Sequence, residues 1–178
     1  GETSMYVAEI PPGGALHPEQ HLYEELVYVL QGHGATEISQ AGSEKVHTFE
    51  WDVGSLFAIP LNTRHRFYNG SGTDPAVFLA CTNAPMIIDL FYNLDFVFNN
   101  QFVFRDRYDG STDYFVPKDI RSTDAKEGNW LWETNFVPDV LSAKLDPGER
   151  RGGQGARLSQ CELSGGVMVA HINEWPVG

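Results

Sequence analysis

"HPEQHLYEELVYVLQGHG", residues 17–34, sets two histidines and three glutamates ahead of an apolar run that stops at glycine. The run itself, "ELVYVLQG" (25–32), is rich in β-branched and aromatic residues and reads as a strand. Side chains two apart along an extended strand leave the same face, so Glu19, His21 and Glu25 share one side. Glu24 falls on the opposite face and reads as a surface charge. His17 shares the odd-numbered face but lies farther out, as a rim residue would. The stretch therefore reads either as a metal site laid along a strand or as a charged turn entering a sheet.

A second stretch, "GSLFAIPLNTRHRFYN" (54–69), bears on that choice. Alternation there sends His65, Phe67 and Asn69 to one face and Arg64, Arg66 and Tyr68 to the other. Around both stretches lie further short apolar runs: 5–10, 34–39, 46–51, 55–60, 65–70 and 75–83. Gly, Ser, Asn, Asp or Pro separates each from the next. Short strands at such spacing indicate an all-β sandwich or barrel. The lack of a helical pattern between them argues against a parallel α/β sheet.

Beyond Pro85 the pattern changes. "PMIIDLFYNLDF" (85–96) groups apolar residues at 87, 88, 91 and 92, one face of a helix. Residues 96–117 then carry Phe96, Phe98, Phe102, Phe104, Tyr108, Tyr114 and Phe115, too much apolar area for a loop in water. They read as an arm packed over a barrel or a partner subunit. Residues 118–160, polar and glycine-rich around "DPGERRGGQGARL", read as an interdomain connector. The last residues, "MVAHINEWPVG" (168–178), echo "MYVAEIPPGG" (5–14) in their Val-Ala-x-Ile and following Pro-x-Gly. The echo suggests a second copy of the fold beginning there. The expected organisation is a barrel over 1–100, an arm and linker over 101–160, and over 161–178 the opening strand of a second, truncated domain.

Taken together, the two stretches resemble the paired motifs of the cupin superfamily. The first family motif is G-x5-H-x-H-x3-4-E-x6-G, and Gly13, His21, Glu25 and Gly32 fall in register with it. The second is G-x5-P-x-G-x2-H-x3-N, matched by Gly54, Pro60, His65 and Asn69. The resemblance implies an antiparallel β-barrel of jelly-roll type. It also implies the N-terminal half of a bicupin, and a homodimer. Two departures stand out. Asn62 replaces a turn glycine, which Asn can stand in for because it tolerates left-handed backbone. Glu19 replaces the first histidine of the family's ligand set.

What the resemblance implies for chemistry is a divalent metal on His21, Glu25 and His65. Two imidazoles and one carboxylate form the facial set that suits non-haem Fe(II), with Mn, Ni or Zn also accepted. Glu19 is then a further ligand, a group orienting His21, or an acid at the barrel mouth. Tyr23, Phe57 and Phe67 would line an aromatic pocket for a small organic substrate. The leading expectation is a metal-dependent oxidoreductase of dioxygenase type. The alternatives are a metal-dependent isomerase or lyase, or a non-catalytic module that binds no metal and leaves the chemistry to a second barrel.

The bulk composition fits this reading. A net charge of −12 disfavours nucleic acid, and residues 1–100 hold twelve acids against Lys45, Arg64 and Arg66 alone. No apolar run approaches the roughly eighteen residues of a membrane span. Cys81 and Cys161 are too few for a disulfide framework. With no signal-peptide pattern, the expected location is the cytoplasm. His33 and His47 read as exposed, and Cys81 as a small apolar residue rather than a nucleophile.

Overall fold

The period-two patterns of the first eighty residues close into two sheets around one core. The computed structural model describes residues 1–123, 130–148 and 153–176. Strands β1 (Ser4–Ile10), β2 (Glu25–Gln31), β3 (His33–Ser39), β4 (Val46–Asp52), β5 (Leu56–Ile59), β6 (Arg64–Asn69) and β7 (Ala76–Thr82) build the barrel. One sheet runs β1-β7-β2-β5, extended by a two-residue strand β10 (Phe136–Val137). The facing sheet runs β4-β3-β6, and every pairing among these strands is antiparallel. The fold is therefore the all-β barrel that the alternation predicts.

Inward residues of both sheets meet in a single cluster that includes Val27, Val29, Phe57, Phe78, Ile38, Trp51 and Phe67. Aromatic rings fill much of it. Phe67 stacks on Phe78 at 4.8 Å between centroids, and Phe49 meets Phe57 edge-on at 5.0 Å. Offset and edge-on pairs of this kind add about 0.5–1.5 kcal/mol each beyond the area they bury. Gly32, at φ 78°, turns β2 into β3 where a Cβ would come within 3.0 Å of the Ala76 backbone. Both the conformation and the close approach require glycine there.

Two short helices follow, α1 (Ala84–Phe91) and α2 (Leu94–Phe98). The aromatic arm then divides into two parts. Tyr108 and Tyr114 are buried in the barrel core with Phe115 packed against them. Phe96, Phe98 and Phe102 remain 42%, 37% and 62% exposed. The arm thus buries its large aromatic rings in the barrel core with its second half. Among the described residues, no helix is long and apolar enough to cross a membrane.

Residues expected to form a connector instead contain strands. β8 (Ile120–Thr123), β9 (Trp130–Glu133), β11 (Asp146–Pro147) and β12 (Arg157–Glu162) join β13 (Val169–Glu174) in a second sheet. The part of the glycine-rich stretch at 149–152 lies outside the described residues, as do 124–129 and 177–178. β13, the strand whose sequence echoes β1, pairs with β12 and takes no place in the first barrel. The sheet instead covers the barrel's outer wall. Leu56 and Ala58 pack with Trp132, Val137, Cys161 and Leu163, and Leu26 and Tyr28 join from β2. This explains why "LFAI" in β5 is apolar at every position: it is buried on both faces.

Candidate metal site

The side chains that alternation placed on one face do converge. Glu25 opens β2 and His65 lies in β6, on the opposite sheet. An isolated bridge pairs Glu19 with His65, with each backbone N–H donating to the other's carbonyl at 2.9 Å. Residues directly opposite in such a bridge present their side chains on the same face. His21 follows two residues later on that face. The results are 3.3 Å from His21 Nε2 to Glu25 Oε2 and 3.8 Å from His65 Nε2 to the same oxygen. One donor atom each from Glu19, His21 and His65 lies within 4.8 Å of the others. His21, Glu25 and His65 are buried, whereas Glu19 is exposed at the open edge.

Backbone carbonyls fix the orientation of both rings. His21 Nδ1 donates to the Tyr23 carbonyl at 2.9 Å, and His65 Nδ1 to the Thr63 carbonyl at 3.2 Å. A carbonyl only accepts, so Nδ1 carries the proton and Nε2 of a neutral ring is a bare lone pair. Burial, with the His21 charge adding to it, pushes the His65 imidazole down to about 4, so that ring is neutral at ordinary pH. Burial pushes the Glu25 carboxyl up, but the hydrogen bond and charge of His21, the charge of His65 and the Tyr6 hydroxyl outweigh it. The carboxyl is held below its usual range and is ionised. Partial desolvation, then the charge of Glu25, raises the Glu19 carboxyl.

The His65 Nε2 lone pair thus faces a carboxylate oxygen that His21 Nε2 also approaches. A proton on His21 could relieve the 3.3 Å contact, yet it would leave His65 Nε2 unserved. That nitrogen is buried and has no hydrogen-bond partner among the described residues. A metal ion would serve all three groups at once. Donors about 2.0–2.2 Å from one ion stand roughly 3–3.5 Å apart, close to the spacing around Glu25 Oε2. Glu19, with His21 and His65, forms a second set of three donors within 4.8 Å of one another, at the exposed end of the site. The donor set fits a divalent cation, and the two carbonyl-tethered imidazoles are oriented as metal ligands commonly are.

The aromatic residues divide between site and core. Tyr23 lies flat on His21, 3.7 Å between centroids and 3° from parallel, and meets Phe98 of α2 edge-on at 6.0 Å. With Pro18, Glu19, Gln20 and His21, these two rings bound an open recess of about 320 Å³ at the site's mouth. Phe57 and Phe67 do not line it. Both are buried in the packed core, although Phe67 touches the His65 ring edge-on at 5.8 Å. The expected hollow is filled by neighbouring rings: Phe57 contacts Phe49, Phe67 and Phe136, and Phe67 contacts Phe78.

Other residues are placed differently from the sequence reading. Glu24 is no surface charge. It is buried, accepts the backbone N–H groups of Val167 and Met168 at 2.9 Å, and pairs with Arg107 at 3.4 Å. His17 and His33 are exposed, as expected. His47 is half-buried, edge-on to Tyr108 at 6.2 Å. Asn62 adopts φ 58°, the left-handed turn expected of it. Its amide also donates to the Asn100 and Phe102 carbonyls at 2.9 and 2.8 Å, tying the arm to the site loop. Sequence reasoning missed that tether, and it missed Tyr6, whose hydroxyl donates to Glu25 Oε1.

Residues 6–82 match the family described as "Cupin domain". Among solved structures, the coconut allergen cocosin is 22% identical over 47% of this chain and 24% of its own, with a TM-score of 0.42. Peruvianin-I, a cysteine peptidase from Thevetia peruviana latex, is 22% identical over 46% of this chain and 50% of its own, TM-score 0.42. A Lactobacillus farciminis oxalate decarboxylase in complex with formate is 23% identical over 52% of this chain and 32% of its own, TM-score 0.42. The chain spans half or less of the length of these relatives, and likenesses of this degree carry no statement about activity. No curated protein matches the sequence. The family match, over residues 6–82, covers the same strands and both motifs that build the His/Glu face.

Proposed function

We propose that this domain is a metal-dependent enzyme acting on a small organic molecule, with His21, Glu25 and His65 as the metal ligands and a dioxygenase-type oxidation as its reaction. The observation that carries the reading is His65 Nε2, a buried lone pair without a partner, aimed at the carboxylate oxygen that His21 also faces. Fe(II) held there would supply dioxygen activation, and Mn, Ni or Zn would supply Lewis acidity. The chain's own groups do the remaining work. Tyr23 and Phe98 wall the recess and offer apolar faces to an organic substrate. Burial, with Glu25 and Glu19 nearby, pushes the Tyr23 phenol up, so it keeps its proton and can donate to a substrate oxygen. Glu19 stands at the mouth as a proton acceptor.

The test is metal retention followed by turnover. Purified chain loaded with Fe(II), Mn(II), Ni(II) or Zn(II) and desalted should keep about one equivalent by elemental analysis. With small aromatic and polar candidate substrates, the Fe(II) form should consume dioxygen. Turnover without dioxygen uptake would assign the site to a lyase or isomerase. A second reading is favoured by the packed interior, in which Phe57 and Phe67 are buried in the core rather than lining a pocket. Under it the domain is a non-catalytic module, and desalted protein would retain none of the four metals.

A further inference from the structure

Tyr6 belongs to neither motif, yet it makes a direct contact with a proposed ligand. Its hydroxyl donates to Glu25 Oε1, while both imidazoles face Oε2. The contact follows from strand order. β7 lies between β1 and β2, with Tyr6 paired to Ala80 and Glu25 to Thr82. Met5 and Val7, on either side of Tyr6, are 70% and 61% exposed, so alternation turns Tyr6 toward the barrel. There its ring meets Phe78 edge-on, 6.5 Å between centroids, which fixes the direction of the hydroxyl.

We propose that Tyr6 is a positioning residue for the metal site: by occupying Oε1, it makes Glu25 a one-oxygen ligand that presents Oε2 to the cation. The inference rests on the metal-site reading above and deepens it. A free carboxylate can grip an ion through both oxygens. One whose second oxygen already accepts a hydrogen bond uses the other and leaves a coordination position open. An open position is what separates a catalytic metal site from a closed structural one. The bond also holds the carboxylate plane, in the way that outer groups orient ligating side chains elsewhere.

The experiment compares the full chain with Tyr6→Phe, which keeps the ring against Phe78 and removes only the hydroxyl, and with Tyr6→Leu, which removes both. Zn(II) affinity is read by calorimetry and Co(II) coordination by visible absorption, with near-UV circular dichroism reporting the fold. The unsubstituted chain should bind one metal ion. Both variants should bind roughly 10–100-fold more weakly. Their Co(II) bands should lose intensity as the freed oxygen raises the coordination number. If both variants fold and match the parent in affinity and spectrum, Tyr6 does not position Glu25. If the unsubstituted chain itself binds neither Zn(II) nor Co(II), the metal-site reading fails and this inference falls with it. The parent measurement therefore tells the two failures apart.

Discussion

The first barrel and the C-terminal sheet share the β2–β5 wall but are stabilised differently. The barrel closes on itself, with rings from both of its sheets meeting in one interior that also shields His65 and Glu25. The C-terminal sheet has one packed face, supplied by the outer side of β2 and β5, and leaves Ile120 and Val169 51% and 40% exposed. The joint between them falls on two adjacent residues. Glu25 points inward to the imidazoles, and Glu24 points outward to the loop that joins β12 and β13. Strand alternation thus gives neighbouring carboxylates unrelated tasks. A one-residue slip of β2 would exchange them and destroy both.

If that separation is real, His65→Ala should have the largest effect on one side and none on the other. It removes a ligand from the facing sheet, so tight binding of Zn(II) or Mn(II) should be lost, by more than about 100-fold in calorimetry. Amide exchange in β12 and β13 should not change. Faster exchange there would mean that the site and the C-terminal sheet are coupled through the wall between them.

The next effect is on stability and concerns the barrel alone. In metal-free protein His65 takes its proton near 4, against about 6.5 for an ordinary histidine. Above 6.5 both folded and unfolded chains are neutral at this group. As pH falls from 6.5 toward 4 the unfolded chain gains a proton that the folded chain refuses, so stability drops, and this contribution levels off below 4. The loss is on the order of 3 kcal/mol. Glu25, held below its usual range, adds a loss of the same sign at lower pH. Urea unfolding of the metal-free chain at successive pH values should show the decline. His65→Ala should flatten it between 6.5 and 4. A parent chain equally stable at 7 and 4.5 would contradict a buried neutral imidazole.

Glu24→Ala tests the other face. It strands two backbone N–H donors and removes the ion pair with Arg107, and should cost about 2 kcal/mol in urea unfolding. The amides of Val167 and Met168 should lose exchange protection first, while metal affinity stays within about threefold of the parent. A collapse of metal binding in this variant would end the claim that the two carboxylates serve separate regions.

The sequence made the first region far more legible than the second. Period-two alternation and local turn residues located the barrel strands and put Glu19, His21, Glu25 and His65 on one face. Both depend on neighbours close in sequence. The second sheet relies on long-range pairing between short strands set in polar stretches, such as Gln160–Glu162 beside Leu131–Glu133 in parallel. No local pattern announces that. Glu24 was misread because alternation says only that it leaves the site face, not that another sheet covers the wall there. Phe57 and Phe67 were placed at a pocket wall because nothing in their own strands reveals that Phe78 and Phe136, from other strands, pack against them. Tyr6 was invisible for a related reason: its partner lies two strands away, across a register that only the folded sheet defines.

The smallest expected effect belongs to Glu19, the residue that departs from the family pattern. Its bridge with His65 puts it on the site face, within 4.8 Å of a His21 and a His65 donor atom, but it is exposed, whereas Glu25 is buried. Partial desolvation and the nearby Glu25 charge also disfavour its ionised form, which weakens it as a donor to a cation. Glu19→Gln removes the charge and keeps the shape. If Glu19 is an outer group, Zn(II) and Mn(II) affinities should fall by no more than about tenfold, the low end of what losing an outer group costs. A direct ligand would behave otherwise. Its loss would weaken Mn(II) more than Zn(II), because a second carboxylate favours the harder ion. Calorimetry with both metals on this one variant separates the cases. Equal, small losses leave Glu19 at the mouth, and a large loss confined to Mn(II) moves it into the coordination sphere beside Glu25.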